Sequence, residues 1–236
     1  MGDNGSGTSR SVSAGVNWAV QKGANIISMS LGSNSDSPDI KRAVQGAAAK
    51  GILVICAAGN EGPGVNTVGY PGQYPFVVAV GSIDRRKQIS RFSSRGPQVD
   101  IAAPGDQILS TWPPRNLAIL SGTSMATPFV SGVTALMLSK HMAHGGKTPI
   151  TNVNQLLEHL KRTATDAGPN GYDVAYGYGI IDPTKLITSD PVLTTASIAQ
   201  HLLLLGAADL TVAGRKKIQK YLADNDLSSV LVAYKG

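Results

Sequence analysis

The sequence predicts an α/β fold in which a parallel β-sheet is flanked by helices. Short runs of branched apolar residues without polar alternation, such as "NIISM" and "LVICA", have the texture of strands buried on both faces. Segments with helical apolar spacing separate them, the alternation that βαβ units produce. Composition agrees: the 236 residues are 42% hydrophobic but only 5% aromatic, with 27 glycines, which suits helices lying close to strands.

The elements follow in order. "MGDNGSGTSR" is loop-like. "SVSAGVNWAVQKGA" sets Val12, Val16, Trp18, Ala19 and Val20 at roughly helical spacing. "NIISMSLG" reads as the first strand. "SPDIKRAVQGAAAKG" reads as a helix with Ser37 as N-cap, Pro38 at the first helical position and Gly51 as the stop. "ILVICAAGN" is a second strand, "FVVAVGSI" a third and "VDIAAPG" a short fourth. An apolar helix opens near Ser124 and runs to about Lys140. "TNVNQLLEHLKRTA" is a further helix with Thr151 as the expected cap, and "GYGIIDPTKLI" an extended closing piece. The texture changes from Ser189, with Asp190-Pro191 as the boundary. One domain is therefore expected over 1–187, and a small, mainly helical extension over 188–236.

Charge and composition exclude several classes. The net charge is +6, with basic clusters in "DRRK" and "GRKKIQK". No aromatic residues interleave with these cations to stack bases, so they read as a solvated turn and helix face, and no nucleic acid is expected. No apolar run approaches the ~18 residues of a membrane span, so no membrane partner is expected. The single cysteine, Cys56, excludes an intrachain disulfide. The first ten residues hold no apolar run of the kind a secretory leader carries.

The chemistry concentrates in "LSGTSMATPFVSGVTALMLSKH". Ser124 sits where a helix begins, and free N–H groups and the helix dipole there favour developing negative charge. "AAGNEG" puts Asn60 just past a buried strand, the end at which active-site groups of parallel sheets collect. A side-chain amide and the serine's own N–H can together hold an oxyanion. Each feature alone is weak, since a Gly-x-Ser before a helix is ordinarily a cap and a Gly-Asn a turn.

In combination they resemble a known family. "SMSLGS", "AAGNEG", "VGYPGQYPFVVAVGSID", "FSSRGPQVDIAAPG", "STWP" and the Ser124 segment are similar, in order and spacing, to the subtilisin-like serine proteases (subtilases), over about residues 1–187. The resemblance implies a three-layer subtilisin-like fold and peptide-bond hydrolysis through an acyl-enzyme. It makes Ser124 the nucleophile and Asn60 the oxyanion donor. Ser30, Leu31 and Gly32 become one wall of a peptide cleft, binding an extended substrate by strand addition. Ala57, Ala58 and Gly59 become the other wall, and Gly69 the floor of a P1 pocket roomy enough for a large apolar side chain. Gly5, Ser6 and Gly7 line the strand further along, near S4. The carbonyls of Gly72, Tyr74 and Val77 correspond to a weak cation site suited to Ca²⁺ or Na⁺; no cofactor is required. The family is mostly secreted.

Two of the family's motifs are absent. Its triad runs Asp, His, Ser along the chain, and neither the Asp-Ser/Thr-Gly nor the His-Gly-Thr motif occurs here. The resemblance sets Met1 about one third of the way into the family's domain. Of the four histidines, His141 and His144 lie more than ~20 Å along the helix from Ser124. His159 is expected to be exposed on its helix, and only His201, in the extension, has no family-defined position. Phe129 stands where the family commonly has histidine, altering packing behind the site. The strand at 26–30 is expected to be an open edge, which aggregates unless covered. A complementing N-terminal fragment, a second copy pairing edge to edge, or the extension are the candidate covers. The expectation is an endopeptidase when Asp and His are supplied and a weak esterase alone. The alternative is a non-catalytic pseudoprotease or peptide-binding module.

Overall fold

A computed structural model of the chain describes residues 6–143 and 150–189. Gly5 and the extension from 190 onward lie outside the described residues, as do His144 and His201. Four strands, β1 (Ile26–Met29), β2 (Leu53–Ala57), β3 (Val78–Ile83) and β4 (Ile101–Pro104), form one parallel sheet in the order β1-β2-β3-β4. Register runs Ile26↔Leu53, Ile55↔Val78 and Val80↔Ile101. The four strand segments expected from sequence are these four.

Helices cover both faces, giving three layers. Side chains alternate along a strand, so Val54 and Cys56 of β2 pack toward α1 (Ser9–Gln21) and α2 (Pro38–Ala49) with Val16, Val44 and Ala47. Leu53 and Ile55 point the other way, toward α3 (Thr123–Ala143), α4 (Val153–Thr163) and α5 (Pro183–Thr188), with Val130, Met137, Leu156 and Leu186. Each fully buried side chain such as Ile55 contributes about 1.5–3 kcal/mol. α3 touches all four strands, as a helix apolar on most of its surface should.

Capping chemistry sets the ends. Ser37 accepts from the Ile40 N–H and Pro38 opens α2, as its sequence implies. α4 differs: its cap is Asn152, whose Oδ1 accepts from the Gln155 N–H at 3.0 Å. Thr151 lies one residue earlier and donates from N–H and hydroxyl to Gln155 Oε1. The closing piece also differs. Gly177 and Ile180 make only isolated bridges. Asp182 then caps α5 by accepting from the Lys185 N–H at 2.9 Å.

Sequence reading missed an antiparallel hairpin, β5 (Ile108–Trp112) and β6 (Asn116–Leu120), which forms a separate sheet. His159 is a further correction, being 1% exposed rather than on the surface. It falls on the apolar stripe of α4 with Leu156 and Leu160, beneath α5. Arg162, which can only donate, lies 3.1 Å from His159 Nδ1, so that nitrogen accepts. Nε2 therefore carries the proton and donates to the Leu186 carbonyl at 2.9 Å.

β1 is an edge: no strand among the described residues pairs with its outer side. Ile27 and Met29 are buried while Ser28 and Ser30 are exposed along that edge. No helix among the described residues is long and apolar enough to cross a membrane.

Candidate functional site

The site lies at the C-terminal ends of β1 and β2, where α3 begins. After β2 the chain turns sharply at Gly59, whose φ of +116 is open to glycine but strained for other residues. A Cβ there would sit 2.8 Å from Ser94 Oγ. The turn is tied from both sides. Gly59 N–H donates to Thr123 Oγ1 at 3.2 Å, and Ser94 N–H donates to the Gly59 carbonyl at 3.0 Å. Ser94 Oγ also accepts from the Glu61 N–H at 3.1 Å.

These ties orient Asn60. Its Oδ1 faces two donors, the Thr123 N–H at 2.9 Å and the Thr123 hydroxyl at 3.0 Å. Only an oxygen can accept from both, so the amide cannot be flipped, and Nδ2 points the other way, beside Gly122. A Cβ at Gly122 would stand 3.4 Å from that nitrogen. Thr123 thus sets the direction of the Asn60 amide donor near Ser124.

Ser124 occupies the first turn of α3, and Pro128 four residues on has no N–H to give its carbonyl. Ser30, at the end of β1, donates its hydroxyl to that carbonyl at 2.9 Å. The next turn is tied to the same strand edge, Ser131 Oγ donating to Ser28 Oγ at 2.9 Å.

A cavity of about 260 Å³ opens beside Ser124 and Asn60. Leu31 and Gly32 form one side, Ala57 and Gly59 the other, with Gly69 between them. Gly69 is locked in place, its N–H donating to the Ala58 carbonyl at 2.8 Å, and a Cβ there would lie 3.2 Å from the Ser33 carbonyl. Ala58 is fully buried and lines the cavity only through its neighbours. A second cavity of about 510 Å³ runs on past Ser30, Leu31 and Gly32 to Ser6 and Gly7, with Tyr70 and Tyr74 in its wall.

Sequence reading had not singled out Thr123, Ser94, Asn34 or Glu61. The last two line the first cavity, and Glu61 is the acidic residue of its lining. Phe129 stands half-exposed on the outer side of α3, over a different cavity of about 350 Å³ shared with Ile83, Pro104 and Pro183. It does not pack behind Ser124 as expected.

Among described side chains the one histidine is His159, which is held under α5 and lines neither of these two cavities. No cluster of His, Cys, Asp or Glu able to hold a metal occurs among the described residues. Cys56 is buried in β2, and burial pushes its thiol pKa well up, so it is no nucleophile. Burial likewise raises Asp100 to about 7, although its Oδ2 accepts from the Ala79 N–H at 2.8 Å.

The Subtilase family profile (Peptidase_S8) matches residues 1–179. The chain is a subtilase. Subtilisin DY of Bacillus licheniformis is 42% identical to it over 184 residues, which cover 77% of this chain and 64% of that protein. The major intracellular serine protease of Bacillus subtilis (strain 168) is 48% identical over 141 residues, 58% of this chain and 44% of that protein. The prenylagaramide maturation protease PagA superposes with a TM-score of 0.68 at 31% identity, over 76% of this chain and 67% of that one. The self-cleaved protease domain of PatA gives 0.68 at 30% identity, covering 77% and 67%. The subtilase thus spans about two thirds or less of the length of these relatives.

Proposed function

We propose that this subtilase is the serine-bearing part of an endopeptidase. Ser124 attacks the scissile carbonyl. The tetrahedral oxyanion is held by Asn60 Nδ2 and the Ser124 N–H at the start of α3. An extended peptide lies between residues 30–32 and 57–59, with its P1 side chain in the 260 Å³ cavity floored by Gly69. Its more distant residues follow the larger cavity toward Ser6 and Gly7, beyond which Gly5 lies outside the described residues. The observation that carries this reading is the forced orientation of Asn60: the N–H and the hydroxyl of Thr123 both donate to its Oδ1, which turns the amide N–H toward the start of α3.

A serine hydroxyl needs a base to be an effective nucleophile. In the family that base is a histidine oriented by an aspartate, and neither motif is in this chain. We infer that both come from a segment equivalent to the third of the relatives that this chain does not span, carried either on a missing N-terminal part or on a partner. It approaches across the open edge of β1, where Ser28 and Ser30 lead directly to α3. Histidine then takes the Ser124 proton and returns it to the leaving amine. The carbonyls of Gly72, Tyr74 and Val77 are a hard-donor set suited to Ca²⁺ or Na⁺, a structural aid with no part in the reaction.

A second reading is a peptide-binding module without catalysis, and the burial of His159 favours it. Hydrolysis of an activated ester separates the two. Slow turnover that is lost in Ser124→Ala, and peptide cleavage on adding a polypeptide that carries the family's Asp and His motifs, are the expected results. Peptide binding with no turnover in either condition establishes the second reading and rejects the first.

A further inference from the structure

The cavity of about 510 Å³ beyond the proposed P1 pocket carries a charge that the reaction at Ser124 does not use. It continues the first cavity, since Leu31, Gly32 and Ser33 line both. Val12, Leu31 and Ile40 give it an apolar portion, packed against the core beneath α1 and α2. Much of the remaining lining is serine and threonine. Tyr70 and Tyr74 add an aromatic side, with ring centroids 5.3 Å apart. Asp36 is the one charged residue of the lining.

Asp36 is held ready for a cation. Tyr74, 4% exposed, donates its hydroxyl to Asp36 Oδ1 at 2.6 Å. Burial, reinforced by that carboxylate, pushes the Tyr74 phenol up, so it stays a donor. The other carboxylate oxygen is less engaged: Lys41 Nζ stands 3.9 Å from Oδ2, beyond hydrogen-bond range. The same ammonium lies 5.8 Å over the Tyr74 ring, yet Lys41 does not line the cavity. This corner therefore draws one cation already, loosely and from outside. The Asp36 side chain is 41% exposed and so open to a second cation that enters from the cavity.

A lysine or arginine side chain matches these features along its length. Its aliphatic stem suits Val12, Leu31 and Ile40, and its charged head suits Asp36 Oδ2. A guanidinium can also stack on a tyrosine ring. The family resemblance sets Ser6 and Gly7 near S4, and both line this cavity. We propose that Asp36 makes the cavity a subsite selective for a basic side chain at P4 of the substrate polypeptide, an inference that rests on the endopeptidase reading.

The test uses Ser124→Ala, which keeps peptides intact, and fluorescent peptides followed by anisotropy. Three peptides place Ala, Arg or Glu at P4 before Ala-Pro-Phe, and a fourth, Ala-Arg-Pro-Phe, moves the arginine to P3. Arginine at P4 is expected to bind about three- to fivefold tighter than alanine, the scale of a partly exposed ion pair, and glutamate more weakly than alanine. Arginine at P3 should bring no gain, because the net charge of +6 opposes a cationic peptide. Asp36→Asn keeps an acceptor for Tyr74 and should bring the Arg-to-Ala ratio to about one. Lys41→Gln removes the competing ammonium and should widen that ratio. Each variant is read as a ratio of two peptides, so a general loss of folding does not imitate the result. Equal binding of the P4 Arg and Ala peptides overturns the subsite and leaves the cleft reading standing. So does a gain as large at P3 as at P4, or a ratio that survives Asp36→Asn or narrows in Lys41→Gln. Failure of all four peptides to bind rejects the cleft reading and the subsite with it.

Discussion

Ser30 gives the carbonyl of Ser124 the hydrogen bond that Pro128 cannot. The Ser30 hydroxyl reaches it at 2.9 Å across 94 positions of sequence. The proline that opens a gap in the α3 ladder therefore creates the acceptor by which the edge of β1 holds the first turn of α3. Ser30→Ala is expected to slow modification of Ser124 several-fold. The cost in stability should stay near ~1 kcal/mol, because the group is exposed and water replaces it. Parallel thermal melts and labelling rates measure the two effects separately.

Thr123 aims Asn60. Thr123→Val removes the hydroxyl that donates to Asn60 Oδ1 and accepts from Gly59 N–H, at a buried position. Activated-ester turnover is expected to fall about tenfold or more, with a stability loss of about 1–3 kcal/mol. Thr123→Ser keeps the hydroxyl and should restore most of the turnover, which a mere packing role for the threonine would not predict.

Glu61 is the acidic residue lining the 260 Å³ cavity beside Ser124, which the proposed function makes the P1 pocket. Peptides with lysine at P1 are expected to lose about 2–5-fold in affinity in Glu61→Gln, while phenylalanine peptides are unaffected, the modest scale of an exposed ion pair. Raising the salt concentration should mimic the substitution in the parent protein.

Asp100 makes stability depend on pH. Its carboxyl is raised by burial to about 7 from an ordinary 3.8. Between those values the folded chain binds a proton that the unfolded chain has released, so stability falls as pH rises from about 4 to about 7 and then levels off. Asp100→Asn keeps an acceptor for the Ala79 N–H and removes the slope. In chelator-treated buffer the variant is expected to be the more stable at pH 8, by on the order of 2–3 kcal/mol, and the gap should close near pH 4. Denaturant melts at the two pH values measure it.

The parallel sheet was legible because its strands are unbroken apolar runs, and α2 because Ser37 and Pro38 mark its start. Ser124 and Asn60 were legible as parts of motifs. The hairpin was not: "ILSTWPPRNLAIL" lacks clean alternation and turns through Pro113-Pro114 rather than a glycine pair. His159 was misread because its burial depends on α5, a helix that sequence reading took for extended chain. Thr123 and Glu61 act through long-range contacts that local pattern does not display.

Reaction of the purified chain with a fluorophosphonate, read by intact mass, tests the central claim, that Ser124 and Asn60 are a preassembled acyl-transfer site awaiting a base. The account predicts slow modification confined to Ser124 and absent in Ser124→Ala. Imidazole should hasten it by serving as the base, and Asn60→Ala should slow it at least tenfold, toward the ~10²–10³ that losing the corresponding donor costs subtilisin. No modification of Ser124 even with imidazole, or a rate indifferent to Asn60→Ala, would contradict it.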